Sequence, residues 1–182
     1  MKQKLTIRRT VCSIVAALLA AAAVWLLCRW VGYDLQLRVG DTQTFAILND
    51  DYSQVIDVTG EGLTQSMPVS AGQTVYGVRL DFSTQGTPRQ SGMLMVDLYD
   101  STGTLRGQAA GDYLNIFDNL FTAFAFDSTY TPAQDETMTL HIYSVAAWDG
   151  PLGLWASDGT VPGMPLYAGD TAQDATLALQ IM

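Results

Sequence analysis

Lysine is missing from Asp34 to the C-terminus, and so is cysteine. Over that stretch four arginines (Arg38, Arg79, Arg89 and Arg106) face all eighteen Asp and Glu residues of the chain, a formal charge of −14. Such a surface repels phosphate backbones, so nucleic acid is excluded as a partner. It favours solubility and attracts cations. The two cysteines, Cys12 and Cys28, both lie in the apolar N-terminal segment. On a helix they stand about 24 Å apart, too far to pair. The stretch after Asp34 therefore folds without disulfides. Zinc finds no thiolate there and a single imidazole, His141. No Gly-x-Ser-x-Gly is present, and any Ser-His-Asp triad would have to run through that one histidine. A surface or edge histidine is the plain reading of His141, and no catalytic residue is assigned.

Five of the nine basic residues precede Asp34: Lys2, Lys4, Arg8, Arg9 and Arg29. Val11 to Leu27 reads VCSIVAALLAAAAVWLL without a charge. Val11 to Val31 spans about 31 Å as a helix, the thickness of the hydrocarbon core. Arg29 snorkels at its far end, and Trp25, Trp30 and Tyr33 suit an interfacial belt. The positive-inside rule then predicts a basic cytoplasmic tail over 1–10, a transmembrane helix over 11–31 and an extracytoplasmic remainder. A cleaved signal peptide is the rival, with Ala20 to Ala23 as small residues for cleavage. The apolar run continues through Val24, Trp25, Leu26 and Leu27, which favours an anchor. Lipidation at Cys28 is disfavoured by the bulky Leu27 before it.

The 149 residues from Asp34 bury roughly 70% of their unfolded surface, enough for one domain. Their pattern has period two. Tyr76, Val78, Leu80 and Phe82 share one strand face. Leu94, Val96 and Leu98 share another, as do Met138, Leu140 and Ile142, and then Leu177, Leu179 and Ile181. Thr122, Phe124 and Phe126 form a further inward set. Strands are also predicted over 54–58, 63–69, 104–110 and 153–157, with one helical turn within 109–119. Gly, Pro and Asp punctuate these runs at Ala71-Gly72, Gly86-Thr87-Pro88, Ser101-Thr102-Gly103, Asp149-Gly150-Pro151, Asp158-Gly159 and Pro162-Gly163. Eight or nine short strands at this spacing predict a mainly β fold, an antiparallel jelly-roll β-sandwich over 53–182. Residues 32–52 read as a short juxtamembrane stalk or an edge strand.

Several runs carry a resemblance. They are Gln65-Ser66-Met67, Gly77 to Phe82 with its polar loop, and Gly92 to Asp100 with its Ser-Thr-Gly turn and Leu105. Leu114, Asp118-Asn119, Phe124-Ala125-Phe126 and Ala178 to Ile181 complete the set. On these the stretch from about Leu63 to Met182 resembles the galactose-binding-like jelly rolls of many carbohydrate-binding modules. It is similar in particular to extracytoplasmic β-sandwich domains fused to bacterial membrane proteins, some glycosyltransferase-like. The matching positions are mostly core and turn residues. The relatives mostly carry many membrane helices, so an enzymatic partner here would be a separate chain.

Sugar sites pair an aromatic face, covering the C–H side of a pyranose, with side chains that hydrogen-bond hydroxyls. Trp148, Trp155, Tyr113 and Tyr167 are the aromatic candidates, and Arg79, Asn119 and Asp149 the polar ones. Core or edge cover is the ordinary role of such aromatics in a sandwich. Asp100, Asp112 and Asp118 are candidate ligands of a structural calcium, since turn carboxylates are hard oxygen donors; turn formation explains the same residues. No other cofactor is implied. Paired acids such as Asp50-Asp51, Asp97 with Asp100 and Asp135-Glu136 sit at predicted turns or strand ends, so glycoside hydrolysis is not favoured. The expected function is a membrane-anchored module binding surface carbohydrate or envelope polymer. The alternative is a non-catalytic accessory subunit of a membrane-embedded envelope enzyme.

Overall fold

The computed structural model describes residues 45–58, 61–87, 92–145 and 152–182, with the isolated position 20. The predicted anchor over 11–31, position 20 apart, and the basic tail, Trp148 and Asp149 lie outside the described residues. Among those described, no helix is long and apolar enough to cross a membrane. The chain divides between Thr42 and Gln43, and every described strand belongs to the second unit, Gln43–Met182.

This unit is mainly β and consists of two antiparallel sheets. The first contains β1 (Ala46–Asn49), β2 (Gln54–Asp57), β4 (Val75–Ser83), β7 (Leu120–Tyr130), β9 (Gly153–Ala156) and β12 (Leu179–Ile181). Its order is β1-β12-β4-β9-β2, with β7 along the other side of β4. The second contains β3 (Leu63–Val69), β5 (Met93–Tyr99), β6 (Leu105–Asp112), β8 (Glu136–Ser144), β10 (Leu166–Ala168) and β11 (Thr171–Gln173). It runs β11-β10-β3-β8-β5-β6. A single 3-10 turn, Tyr113–Asn115, lies between β6 and β7, within the stretch expected to hold a helical turn.

Alternation builds the core. Leu63, Met67 and Val69, the triplets Leu94/Val96/Leu98 and Met138/Leu140/Ile142, and Val78, Leu80, Phe82, Leu179 and Ile181 are all buried. Together with Phe124, Leu154 and Leu177 they form one apolar cluster between the sheets. Tyr76 departs from the expected alternation. It is 57% exposed, while its neighbours Val75 and Gly77 are buried. The register explains this: Val75 pairs Tyr130 but Gly77 pairs Ala125, so β7 carries extra residues here and β4 shifts its facing. Over that bulge β7 swings towards β6, the edge of the other sheet. The Gln108 amide donates to Asp127 Oδ1 at 2.9 Å, and the Ser128 hydroxyl donates to the Arg106 carbonyl at 2.6 Å. Gly107 makes the approach feasible, because a Cβ there would meet Phe126 Cβ at 2.8 Å.

Candidate functional site

β4 is buried on both faces, unlike an ordinary outer strand of a sandwich. Its inward face carries Val78, Leu80 and Phe82; its outward face carries Arg79, Asp81 and Ser83, and the last two are also buried. The covering groups follow from register. Gln180 of β12 stands opposite Arg79 on one side and Ala123 of β7 on the other. Phe121 stands opposite Asp81, and Gly153 of β9 opposite Ser83.

Aromatic rings close over this row. Phe45 and Phe121 hold the Arg79 guanidinium at 4.5 and 5.2 Å from their centroids. Arg79 Nη1 donates to Gln180 Oε1 at 3.0 Å. The exposed Tyr52 meets Phe121 edge-on at 6.3 Å. Trp155 of β9 donates its indole N–H to Asn119 Oδ1 at 3.0 Å. At Phe82, β4 has Leu154 of β9 on one side and Leu120 of β7 on the other. The indole therefore reaches across β4 to find Asn119, and its ring lies over the outer side of the strand.

Asn119 is fixed for that role. Its backbone is left-handed at φ 56°, its amide N–H donates to the Phe82 carbonyl at 2.8 Å, and its Nδ2 donates to Asp118 Oδ2 at 3.1 Å. Asp118 in turn accepts from the Thr84 amide at 2.6 Å. Beside it opens a cavity of about 390 Å³ lined by Thr84, Gly86, Thr87, Tyr113, Ile116 and Phe117.

Electrostatics single out Asp81. Burial pushes its carboxyl above the ordinary range; a hydrogen bond from the Phe82 amide opposes this, and the charge of Asp118 adds to it. The Tyr52 phenol is likewise raised, by burial first and then by Asp81 and Asp50. Asp100 is the opposite case. The Thr102 hydroxyl and Thr104 amide, then Arg106 and the Thr102 amide, hold it well below the carboxylate range against the effect of burial. These two acids give stability opposite slopes with pH. Between the unfolded carboxylate value of about 4 and the raised value of Asp81, the folded state binds more protons, so stability falls as pH rises. Below about pH 4 the unfolded state binds more protons through Asp100, so stability falls as pH drops. In thermal melts from pH 2 to 7, Asp81→Asn should remove the first slope and Asp100→Asn the second. Parallel curves for wild type and both variants would contradict the assignment.

The structure brings Arg79, Asn119 and Trp155 onto one face. It does not bring the other described candidates there. Tyr113 is 1% exposed and packs over Gly92 within the core. Tyr167 lies on β10 of the opposite sheet, paired with Thr64. The expected calcium ligands do not converge, and no group of three acidic, histidine or cysteine side chains able to hold an ion occurs among the described residues. Each serves its own turn. Asp100 binds Thr102, Thr104 and Arg106, the last at 2.7 Å; Asp112 caps the 3-10 turn through the Leu114 amide; Asp118 binds Thr84 and Asn119.

The outer face of the second sheet is polar. A shallow hollow of about 650 Å³ lies among Thr64, Tyr99, Ser101, Thr137, Thr139 and His141. His141 stacks on Tyr143 at 4.6 Å, and Asp97 beneath accepts from Gln108 and Tyr143 at 2.8 and 3.1 Å. Its buried carboxylate is satisfied, unlike that of Asp81. Residue type alone did not single out Asp81, Phe121, Tyr52, Phe45 or Gln180. Their one signal is position: Asp81 follows Arg79 by two in an alternating strand whose other face is apolar. No protein-family model matches the chain, and no curated protein matches it significantly.

Proposed function

We propose that this chain is a membrane-anchored, extracytoplasmic module of jelly-roll type. It binds carbohydrate of the cell surface or envelope through the outer face of the β1-β12-β4-β9-β2 sheet. The observation that carries the reading is the Trp155 indole, drawn across β4 by Asn119 beside Arg79 and Asp81. An indole on the outer side of a sheet is the kind of aromatic surface that covers the C–H side of a pyranose. Arg79 and Asn119 supply hydrogen-bond donors and Asp81 an acceptor, the mixture that hydroxyls require. Tyr52, Phe121 and Phe45 extend the apolar floor. The basic tail and apolar run of residues 1–31 support tethering. No nucleophile, metal cluster or paired catalytic acids enter the reading.

The test is a glycan array probed with the full chain in detergent. Glycans that bind should lose affinity by about 30-fold or more with Trp155→Ala, the scale of a central aromatic contact. Tyr167→Ala, on the opposite sheet, should leave them unchanged. An empty array from folded protein, or equal binding by Trp155→Ala, would sink the proposal.

A further inference from the structure

Asp81 presents a buried carboxylate without a full set of partners. The residue is 7% exposed, and its Oδ1 is buried with no hydrogen-bond partner. Native structures rarely tolerate this without a reason, because desolvated carboxylates are costly. Arg79, two residues away on the same face, does not supply the charge. The one ion pair among the described residues is Arg106 with Asp100, and Arg79 is engaged by Gln180, Phe45 and Phe121 instead. The nearby Asp118 makes the surroundings of Asp81 more negative still. Lysine is absent from the whole stretch after Asp34, so no flexible ammonium of that stretch can swing in.

We infer that the face takes an amine-bearing sugar, whose ammonium group gives Asp81 Oδ1 its missing hydrogen bond and counter-charge. The inference rests on the carbohydrate reading and names the ligand class. A neutral hydroxyl would donate a hydrogen bond but leave the charge uncompensated in a site shielded by rings. An ammonium meets both needs, and Tyr52 and Phe121 offer π-faces beside it. The −14 charge of the stretch attracts such a ligand over distance but does not locate it. Location comes from the buried carboxylate oxygen that lacks a partner, on the strand position opposite Phe121.

The experiment titrates the full chain in detergent with a glucosamine tetramer and with its fully N-acetylated counterpart, by calorimetry at pH 6. The free-amine tetramer should bind at least about tenfold more tightly, the effect of one charged hydrogen bond. Asp81→Asn should bring the two within about twofold. Asp170→Asn removes the same charge from an exposed turn of the other sheet and should leave the preference intact. A second measurement needs no variant. As pH falls towards 4 the amine stays charged while Asp81, with Arg79, Asp118 and Tyr52 as its charged or titrating neighbours, takes up a proton; the preference should shrink. Equal binding of both tetramers overturns the inference, and so does a preference that survives Asp81→Asn or is lost equally in Asp170→Asn. If neutral glycans bind without an amine preference, this inference falls and the carbohydrate reading stands. If nothing on the array binds, both fall.

Discussion

Gln65→Leu should destabilise the domain by about 2–4 kcal/mol and lower its melting temperature by about 10 °C. Gln65 is fully buried on the inward side of β3, among Leu63, Met67 and Val69. Its Nε2 donates to the Met164 carbonyl at 2.8 Å and to the Ser66 carbonyl at 2.9 Å. Its Oε1 accepts from the Leu177 amide at 2.9 Å, in the segment leading to β12 of the opposite sheet. One amide side chain thus ties the two sheets through the core. Leucine fills similar space and satisfies none of these groups. The Met164 carbonyl keeps the Thr176 hydroxyl at 3.2 Å, so the larger loss is the orphaned Leu177 N–H. Gln65→Glu should be worse at neutral pH, because it sets an unpaired carboxylate against the Met164 carbonyl oxygen. Urea denaturation of the three proteins decides the matter. A Gln65→Leu protein within about 0.5 kcal/mol of wild type would contradict the role, since that is the range of surface changes.

That same glutamine marks how far the sequence could be read. Its place in an alternating run put it on a strand, and the apolar triplets of β5 and β8 were equally plain, because period-two alternation responds directly to one buried face. Tyr76 broke the alternation because a bulge is a property of two strands together, and β7's extra residues lie some fifty positions away. β10 and β11, three residues each, are too short to carry a period. For the candidate face, Trp155 and Arg79 were reachable from residue type. Their company was not: Trp155 meets Asn119 across 36 positions, and Arg79 meets Gln180 across 101. Asp81 looked like an ordinary outward acid until register placed Phe121 beside it. Asp100, Asp112 and Asp118 have oxygen chemistry that suits calcium, and each also accepts a backbone amide: Thr102 and Thr104 for Asp100, Leu114 for Asp112, and the distant Thr84 for Asp118.

Gly77→Ala should cost about 3 kcal/mol, at the upper end of overpacking penalties, although the added group is one methyl. Gly77 is buried on β4 opposite Ala125 of β7. A Cβ there would overlap the Phe124 carbonyl oxygen and come within 3.0 Å of Ala125 Cα. It would also meet Met182 Cε at 2.5 Å, but that is the end of a flexible side chain and can turn aside. The overlap with β7 is with backbone, so neither Ala125→Gly nor Met182→Ala should rescue the variant. Relief requires β7 to move away from β4 just where the ladder is already interrupted by the bulge. The same strand carries Phe121 opposite Asp81 and Ala123 opposite Arg79. Displacing it therefore loosens the ring that holds the Arg79 guanidinium. Gly77→Ala should show a lower melting temperature and, under the carbohydrate reading proposed above, weaker glycan binding than wild type in protein still folded at 10 °C. Full stability would show that β4 and β7 do not pair in this register. Lower stability with unchanged affinity would show that Phe121 and Arg79 do not need β7 in place to form the proposed binding face.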